Sequence, residues 1–221
     1  MARRLIPKSK LTNKVIKQLI DLFVLEVPAL KAAKALDINR HSAERVYSRV
    51  RKVVAKDCEE QSILSGEVEV DESYFGGSKK GEIGRRVVSK VPVFGLLKRQ
   101  GKVYTQIVED VTRYTLEKII RGKVTTDSVI YSDSFTVYDG LVVYGYKHYR
   151  IYHSENEFAR GKNHVNGIES FWSYTKRRMN KFNGIHKSKF LLHLKESEFR
   201  FNNRDGNMYK ELLKNFRENS L

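Results

Sequence analysis

The acidic residues Asp71, Asp133 and Glu169 are the side chains in this sequence whose types and spacing best suit catalysis. Both aspartates come near the ends of predicted strands and Glu169 lies within a predicted helix, so we expect them to converge at one edge of a mixed sheet. Carboxylates bind Mg²⁺, a hard cation that prefers oxygen ligands. Two such ions about 3.5–4 Å apart activate a water or hydroxyl on one side of a phosphorus atom and stabilise the leaving oxygen on the other. The pattern therefore predicts a two-metal Mg²⁺ site, with Mn²⁺ as an acceptable substitute.

The amino-acid composition restricts both the kind of metal site and the kind of binding partner that we expect. A single cysteine, Cys58, excludes disulfides and cysteine-rich zinc sites. The 221 residues include 42 Lys and Arg against 26 Asp and Glu, a net charge of +16, which attracts polyanions and makes nucleic acid the expected partner. A ribosome-associated or merely soluble basic protein is the alternative that composition alone leaves open.

Several classes of protein lack support in the sequence. No run of 18 apolar residues and no signal-peptide pattern occurs, so we expect a cytoplasmic protein with no membrane partner. No P-loop, G-x-S-x-G or G-x-G-x-x-G string is present, and nucleotide-driven or serine-hydrolase chemistry is therefore not indicated.

Residues 1–56 are predicted to form a helical, helix-turn-helix-like domain. Thr12 is a candidate N-cap for the first helix, the second spans 29–36, and the third spans 40–56 after a break at 37–39. The third helix combines a thin apolar stripe with a broad basic surface, which is typical of a helix that enters the major groove of DNA. Its candidate DNA contacts are Arg40, Arg45, Arg49 and Lys52. A solvated basic helix in an ordinary three-helix bundle is the alternative.

The sequence after residue 56 predicts a short linker followed by one α/β domain. Residues 57–66 are acidic and polar and are predicted to be a linker, and residues 67–221 the catalytic domain. Alternating polar and apolar residues from Glu67 predict a first strand. Further strands are predicted at 87–97, 103–108, 128–133 and 147–152, and helices at 114–121, 163–181 and 189–202. This order predicts a mixed sheet.

Basic residues surround Glu169 along its helix. Lys176 lies two turns later on the same face, so it is either a phosphate contact beside the metals or a simple intrahelical neighbour. Arg177 and Arg178 extend this surface and are predicted to contact phosphates. His164 either positions the scissile phosphate or lies on the surface.

Two residues near the acids are assigned structural roles. Alternation puts Glu69 on the strand face of Asp71, where an exposed acid is favoured over an auxiliary ligand. Trp172 occupies an apolar position of the helix that holds Glu169 and is predicted to be a core residue.

Five strings together resemble a known family: VEVDESYFGG (68–77), VFGLLKR (93–99), YSDSF (131–135), KNHVNGIESFWSYTKRRMNKFNGI (162–185) and EFRFNNR (198–204). They are similar to the small bacterial insertion-sequence transposases with an ISXO-type DDE domain, over nearly the whole chain. The resemblance implies a ribonuclease-H-like catalytic domain with Asp71 and Asp133 as its first two metal ligands. The third would come from HVNGIE; the interval after Asp133 favours Glu169, while an asparagine in this role would select Asn166.

The activity that this resemblance implies is DNA transposition. The protein would bind the terminal inverted repeats of its element and catalyse Mg²⁺-dependent strand cleavage and strand transfer. Its partners would be double-stranded DNA of the transposon ends and of the target, and it would work as a homo-oligomer on DNA at the bacterial nucleoid. The alternatives are a ribonuclease-H-like nuclease, a helix-turn-helix regulator without catalysis, and an inactive transposase copy.

Overall fold

The computed structural model describes residues 4–7, 9–60, 63–76, 90–133, 136–138, 140–151, 166–182 and 184–218. Within these ranges the fold is mixed α/β, with seven α-helices and a five-stranded sheet. The elements are α1 (Asn13–Val24), α2 (Ala29–Ala35), α3 (Arg40–Glu60), β1 (Glu67–Phe75), β2 (Val91–Lys98), β3 (Val103–Ile107), α4 (Arg113–Lys123), β4 (Val129–Asp133), β5 (Lys147–Ile151), α5 (Asn166–Asn180), α6 (Lys187–Asn202) and α7 (Met208–Glu218). No helix in this part of the chain is long and apolar enough to cross a bilayer.

The chain divides into two compact units. The helical unit comprises residues 1–61 and 195–221, and the sheet unit comprises residues 62–194. This differs from the expected boundaries in two places: α3 continues to Glu60, into the expected linker, and the chain from residue 195 onward groups with the N-terminal helices. The physical reason for the second difference is that apolar side chains of α6 and α7, among them Phe199 and Phe216, complete the core of the helical unit.

Apolar periodicity builds the helical unit. Thr12 caps α1 as predicted, its hydroxyl accepting a hydrogen bond from the backbone N–H of Val15 at 3.3 Å. The buried face of α1 includes Leu19 and Phe23, and the Phe23 ring packs edge-on against Tyr47 of α3. The two predicted helices 29–36 and 40–56 are confirmed as α2 and α3.

A buried charged cluster links α6 to two other helices of the unit. The Arg200 guanidinium donates to the carbonyl oxygens of Phe23 and Val24 at the end of α1, at 2.6 and 3.0 Å. It also pairs with Glu196, which in turn accepts a 2.7 Å bond from Arg51 of α3. Carbonyls at a helix C-terminus lack intrahelical donors, so Arg200 supplies a donor to the Val24 carbonyl and a further one to the Phe23 carbonyl, which also accepts from the Glu26 N–H.

The sheet has the strand order β3-β2-β1-β4-β5. Strands β1, β2 and β3 pair antiparallel, whereas β4 pairs parallel to β1 and β5 parallel to β4. Gln100 and Gly101 form the turn between β2 and β3, with Gln100 at φ +55° and the Lys98 N–H donating to the Lys102 carbonyl at 2.9 Å. The parallel pairing matters most for the site, because it brings the carboxyl ends of β1 and β4 to one edge.

Each face of the central strands is covered by a helix. On one face, Val70 and Phe94 form an apolar core with Leu116 of α4. On the other face α5 packs directly against β2 at Gly95, where an added Cβ would lie 2.5 Å from the ring of Trp172. Trp172 is buried, as predicted, because this glycine leaves room for its ring.

Replacing Gly95 by alanine should therefore destabilise the protein. The new methyl group collides with the Trp172 ring, and overpacking of this kind costs about 1–3 kcal/mol. The control is Gly122→Ala in α4, where nothing lies within 4 Å of the added Cβ. It should stabilise by about 0.5–1 kcal/mol because alanine favours the helix. Urea unfolding of both variants checks this, and equal effects would contradict the packing argument.

Candidate active site

Two aspartates meet at the carboxyl ends of parallel strands. The parallel register pairs Glu67 with Val129 and Glu69 with Tyr131. Asp71 and Asp133 each lie two residues beyond the last of these pairs, and they are close enough for the charge of Asp133 to raise the pKa of Asp71. The sequence prediction that these two residues share one edge of the sheet agrees with this geometry.

Burial and mutual repulsion shape the electrostatics of this edge. The pKa of Asp71 is raised to about 7, mainly by burial and further by the negative charges of Glu72 and Asp133, whereas hydrogen bonds from the Glu72 backbone and from Trp172 oppose the shift. Burial also raises the pKa of Glu72, while the Tyr138 hydroxyl, which donates to its Oε1, opposes that shift. Carboxylates held this close share a local excess of negative charge, which a divalent cation would relieve.

The indole of Trp172 holds Asp71 in a defined orientation. Its Nε1–H donates to Asp71 Oδ2 at 3.0 Å, and the same ring fills the space over Gly95. Trp172 thus both packs α5 against the sheet and holds the carboxylate of Asp71 in position. Sequence reasoning found Trp172 as core but missed this hydrogen bond, for which the sequence has no local signal because the partner lies 101 positions away.

Glu69 anchors the first turn of α5 to β1. It is 1% exposed, and its Oε2 accepts a hydrogen bond from the Ile168 N–H at 2.9 Å. Its Oε1 accepts from Arg99 Nε at 3.1 Å, and the Arg99 guanidinium lies 3.7 Å from the centroid of the Tyr131 ring. A Cβ at Gly167 would come within 2.8 Å of Glu69 Oε2, so the close approach needs glycine.

The expectation that Glu69 is an exposed acid was therefore wrong. Alternation along β1 correctly placed it on the face of Asp71, but that face is covered by α5. The carboxylate is tolerated there because a guanidinium and a helix N-terminal N–H satisfy it.

Both candidates for the third ligand lie in the first turn of α5. Asn166 and Glu169 are exposed, three residues apart. In the described part of the chain no three Asp, Glu, His or Cys residues are arranged to hold a metal ion together. The structure thus brings Asp71 and Asp133 together and does not assemble all three expected ligands.

The basic residues that follow on α5 divide into two groups. Lys176 and Arg177 are exposed, and Lys176 Nζ lies 5.8 Å from the centroid of the Phe75 ring at the end of β1. Arg178 is only 3% exposed, with its guanidinium 5.5 Å from the Phe182 ring centroid. A phosphate contact needs an accessible guanidinium, so the prediction for Arg178 is corrected to a packing role. His164 lies outside the described residues.

The predicted DNA contacts on α3 also differ in exposure. Arg45 and Lys52 are exposed and two turns apart, on one face of the helix. Arg49 is half-buried, and Arg40 forms a 2.7 Å ion pair with Glu44. Arg45 and Lys52 therefore present their charges to solvent most directly.

A pair of strand-end carboxylates, backed by a helix that is tied to the same strand, defines an acidic site with the oxygen donors that a divalent cation prefers. Comparison with known proteins then gives the family: residues 63–202 match the ISXO2-like transposase domain. The chain belongs to this family of transposases.

Individual relatives are similar to different extents. An uncharacterized transposase-like protein of Haemophilus influenzae is 48% identical over 120 residues, which cover 54% of this chain and 97% of that protein. An uncharacterized protein in transposable element ISH50 of Halobacterium salinarum is 25% identical over 176 residues, covering 72% of this chain and 60% of that protein. Among solved structures, the catalytic core domain of BIV integrase aligns at a TM-score of 0.44 and 14% identity, over 70% of this chain and 98% of that one.

The raised pKa of Asp71 predicts a pH-dependent effect of Asp71→Asn on stability, measured in EDTA. The folded-state pKa of about 7 lies above the ordinary aspartate pKa of 3.8, so the carboxyl destabilises the fold increasingly as pH rises between these values. The variant should match wild type below pH 4 and exceed it above pH 7 by up to about 4 kcal/mol.

The control for this prediction is Asp110→Asn. Hydrogen bonds from Thr115 and Thr112 lower the pKa of Asp110, so its contribution is favourable above its unfolded pKa and is lost as pH falls. Thermal melts from pH 4 to 8 should show opposite signs for the two variants. A pH-independent difference between Asp71→Asn and wild type would contradict the assigned pKa.

Removing Glu69, which anchors α5 to β1, should cause a large loss of stability. Glu69→Ala leaves the Ile168 N–H and the Arg99 guanidinium without their shared buried acceptor, at a cost of about 3 kcal/mol. Glu67→Ala removes the other carboxylate near Arg99, 3.5 Å away and 46% exposed, and should cost less than about 1 kcal/mol. Urea unfolding distinguishes them, and equal losses would show that Glu69 is not the anchor.

Proposed function

We propose that this protein is a DDE-type DNA transposase that cleaves the ends of its element and joins them to target DNA. The observation that carries the proposal is the placement of Asp71 and Asp133 at one sheet edge in a chain of the transposase family. The strand order, three antiparallel strands followed by two that run parallel to β1, supports a ribonuclease-H-like catalytic domain.

The residues at this edge fit Mg²⁺. Their donors are carboxylate oxygens, and the pKa of Asp71, raised by burial and by its acidic neighbours, reflects a charge excess that a dication offsets. Asp71 and Asp133 would hold the metal, and Mn²⁺ would substitute. Bound there, the metal supplies Lewis-acid stabilisation of the attacking and leaving oxygens at phosphorus.

The protein side chains position these acids and the substrate. Trp172 donates to Asp71 Oδ2 and thereby keeps the other oxygen directed away from the indole. Glu69 holds the first turn of α5, which carries Glu169, our preferred third ligand, and Asn166, the alternative. Lys176, near the end of β1, would contact a backbone phosphate.

The reaction proceeds in two displacements at phosphorus. Water attacks the phosphodiester at the transposon end, the bond to the 3′-oxygen breaks, and a 3′-hydroxyl and a 5′-phosphate are released. That 3′-hydroxyl then attacks a target phosphodiester, forming a new ester bond while the target 3′-oxygen leaves. The protein forms no covalent bond to DNA in either step.

The N-terminal helices would recognise the terminal inverted repeats. Helices α2 and α3 are separated by a short turn, with Asp37 at φ +48°, which supports the proposed helix-turn-helix-like role. Arg45 and Lys52 on α3 present exposed charges for a DNA groove. Since two ends must be joined in one complex, the working form would be a homo-oligomer on double-stranded DNA.

The proposal predicts metal-dependent cleavage and joining of a duplex that carries the repeats flanking the coding sequence. Asp71→Ala and Asp133→Ala should each lower the rate at least about a hundredfold because each removes a metal ligand. The control is Asp127→Ala, which removes an exposed acid just before the opposite end of β4. Of Asn166→Ala and Glu169→Ala, the variant with the larger loss identifies the third ligand.

A second readout does not depend on activity. Mg²⁺ should raise the melting temperature of wild type and of Asp127→Ala but not of Asp71→Ala. Cleavage without joining of pre-cut ends would favour a nuclease, and specific binding without cleavage under any metal would favour a DNA-binding regulator. Either result would overturn the transposase proposal.

A further inference from the structure

The helical unit contains a cationic cavity outside the candidate active site. The cavity has a volume of about 460 Å³ and lies where residues 4–7 pass the start of α1 and the end of α7. Its charged lining residues are Arg4, Lys17 and Arg217. Among the described residues no acid lines it, so the three positive charges act together on an approaching anion.

Local structure holds the cavity wall in place. The backbone N–H of Leu5 donates to Asn13 Oδ1 at 2.9 Å, which fastens the N-terminal segment to the first residue of α1. The Arg4 guanidinium donates to the carbonyl of Ser9, which folds this segment back on itself. Phe216, only 4% exposed, forms an apolar wall on the α7 side.

A second cationic cavity is also lined by the N-terminal segment. It has a volume of about 260 Å³ and is lined by Lys10 and by Arg45, one of the candidate DNA contacts on α3. Pro7 lines both cavities, so the two cavities adjoin at this residue. The described residues again contribute no acid to its lining.

We propose that the cavity lined by Arg4, Lys17 and Arg217 binds a backbone phosphate of double-stranded DNA while α3 contacts the adjoining groove. This proposal rests on the proposed function and adds a binding site to it. The charges pair with the phosphate, and the half-buried Leu5 offers an apolar surface to the neighbouring deoxyribose. The positive end of α1, at Asn13, adds to the attraction.

Charge balance favours DNA over an acidic protein segment as the occupant. The helical unit carries 20 Lys and Arg against 12 Asp and Glu, a net charge of +8. The adjoining second cavity is lined by Arg45 on α3, the helix proposed to contact DNA. A duplex presents phosphates at regular intervals and can engage both surfaces at once.

The test compares two double variants of the full-length protein. Lys17→Ala with Arg217→Ala removes two cavity charges, and Lys14→Ala with Lys214→Ala removes two exposed charges from the same two helices. The cavity variant should bind specific and unrelated duplexes about tenfold more weakly, and the slope of log affinity against log salt should fall by about 2. The control should keep the wild-type slope.

Lysine modification provides a measurement on the unaltered protein. A duplex should protect Lys17 from acetylation more than Lys14, which lies one turn earlier on α1. Equal losses of affinity in both double variants, or equal protection of both lysines, would overturn the cavity site while leaving DNA binding intact. Absence of DNA binding by wild type would instead overturn the proposed function as well.

Discussion

The parallel pairing of β1 with β4 is the constraint on which the sheet unit depends. It places Asp71 and Asp133 close to each other at one edge, where burial and like charge raise the pKa of Asp71 to about 7. Such an arrangement is unfavourable for folding at neutral pH. The arrangement persists because β1 pairs with a strand on each side, antiparallel with β2 and parallel with β4. This pairing offsets the unfavourable free energy of bringing the carboxylates together.

Two contacts join helix α5 to strand β1 at this edge. Glu69 binds the Ile168 N–H at the start of the helix, and Trp172 one turn later binds Asp71. Both contacts require close approach, and Gly95 and Gly167 permit it because a Cβ at either position would collide with a neighbouring side chain. The position of the first turn of α5, which carries Asn166 and Glu169, is therefore coupled to the acids of β1.

The basic residues of the chain fall into two groups, those paired inside the helical unit and those exposed to solvent. Arg51 and Arg200 are committed to Glu196 and to carbonyl groups at the end of α1, and they stabilise the helical unit. Arg45 and Lys17 instead face solvent. A net charge of +16 indicates an anionic partner, yet it does not distinguish these groups, because the distinction depends on which carboxylates and carbonyls lie nearby after folding.

Local sequence patterns predicted the type and order of most helices and strands, the N-cap at Thr12 and the placement of both aspartates at strand ends. These features depend on neighbouring residues, so the sequence by itself determined them. It did not predict that α7 and the end of α6 join the N-terminal helices, that Glu69 is buried against Arg99, or that Arg178 packs on Phe182. The tertiary structure decided these points, because burial of a charged group depends on partners that are distant along the chain and meet it only in the folded protein.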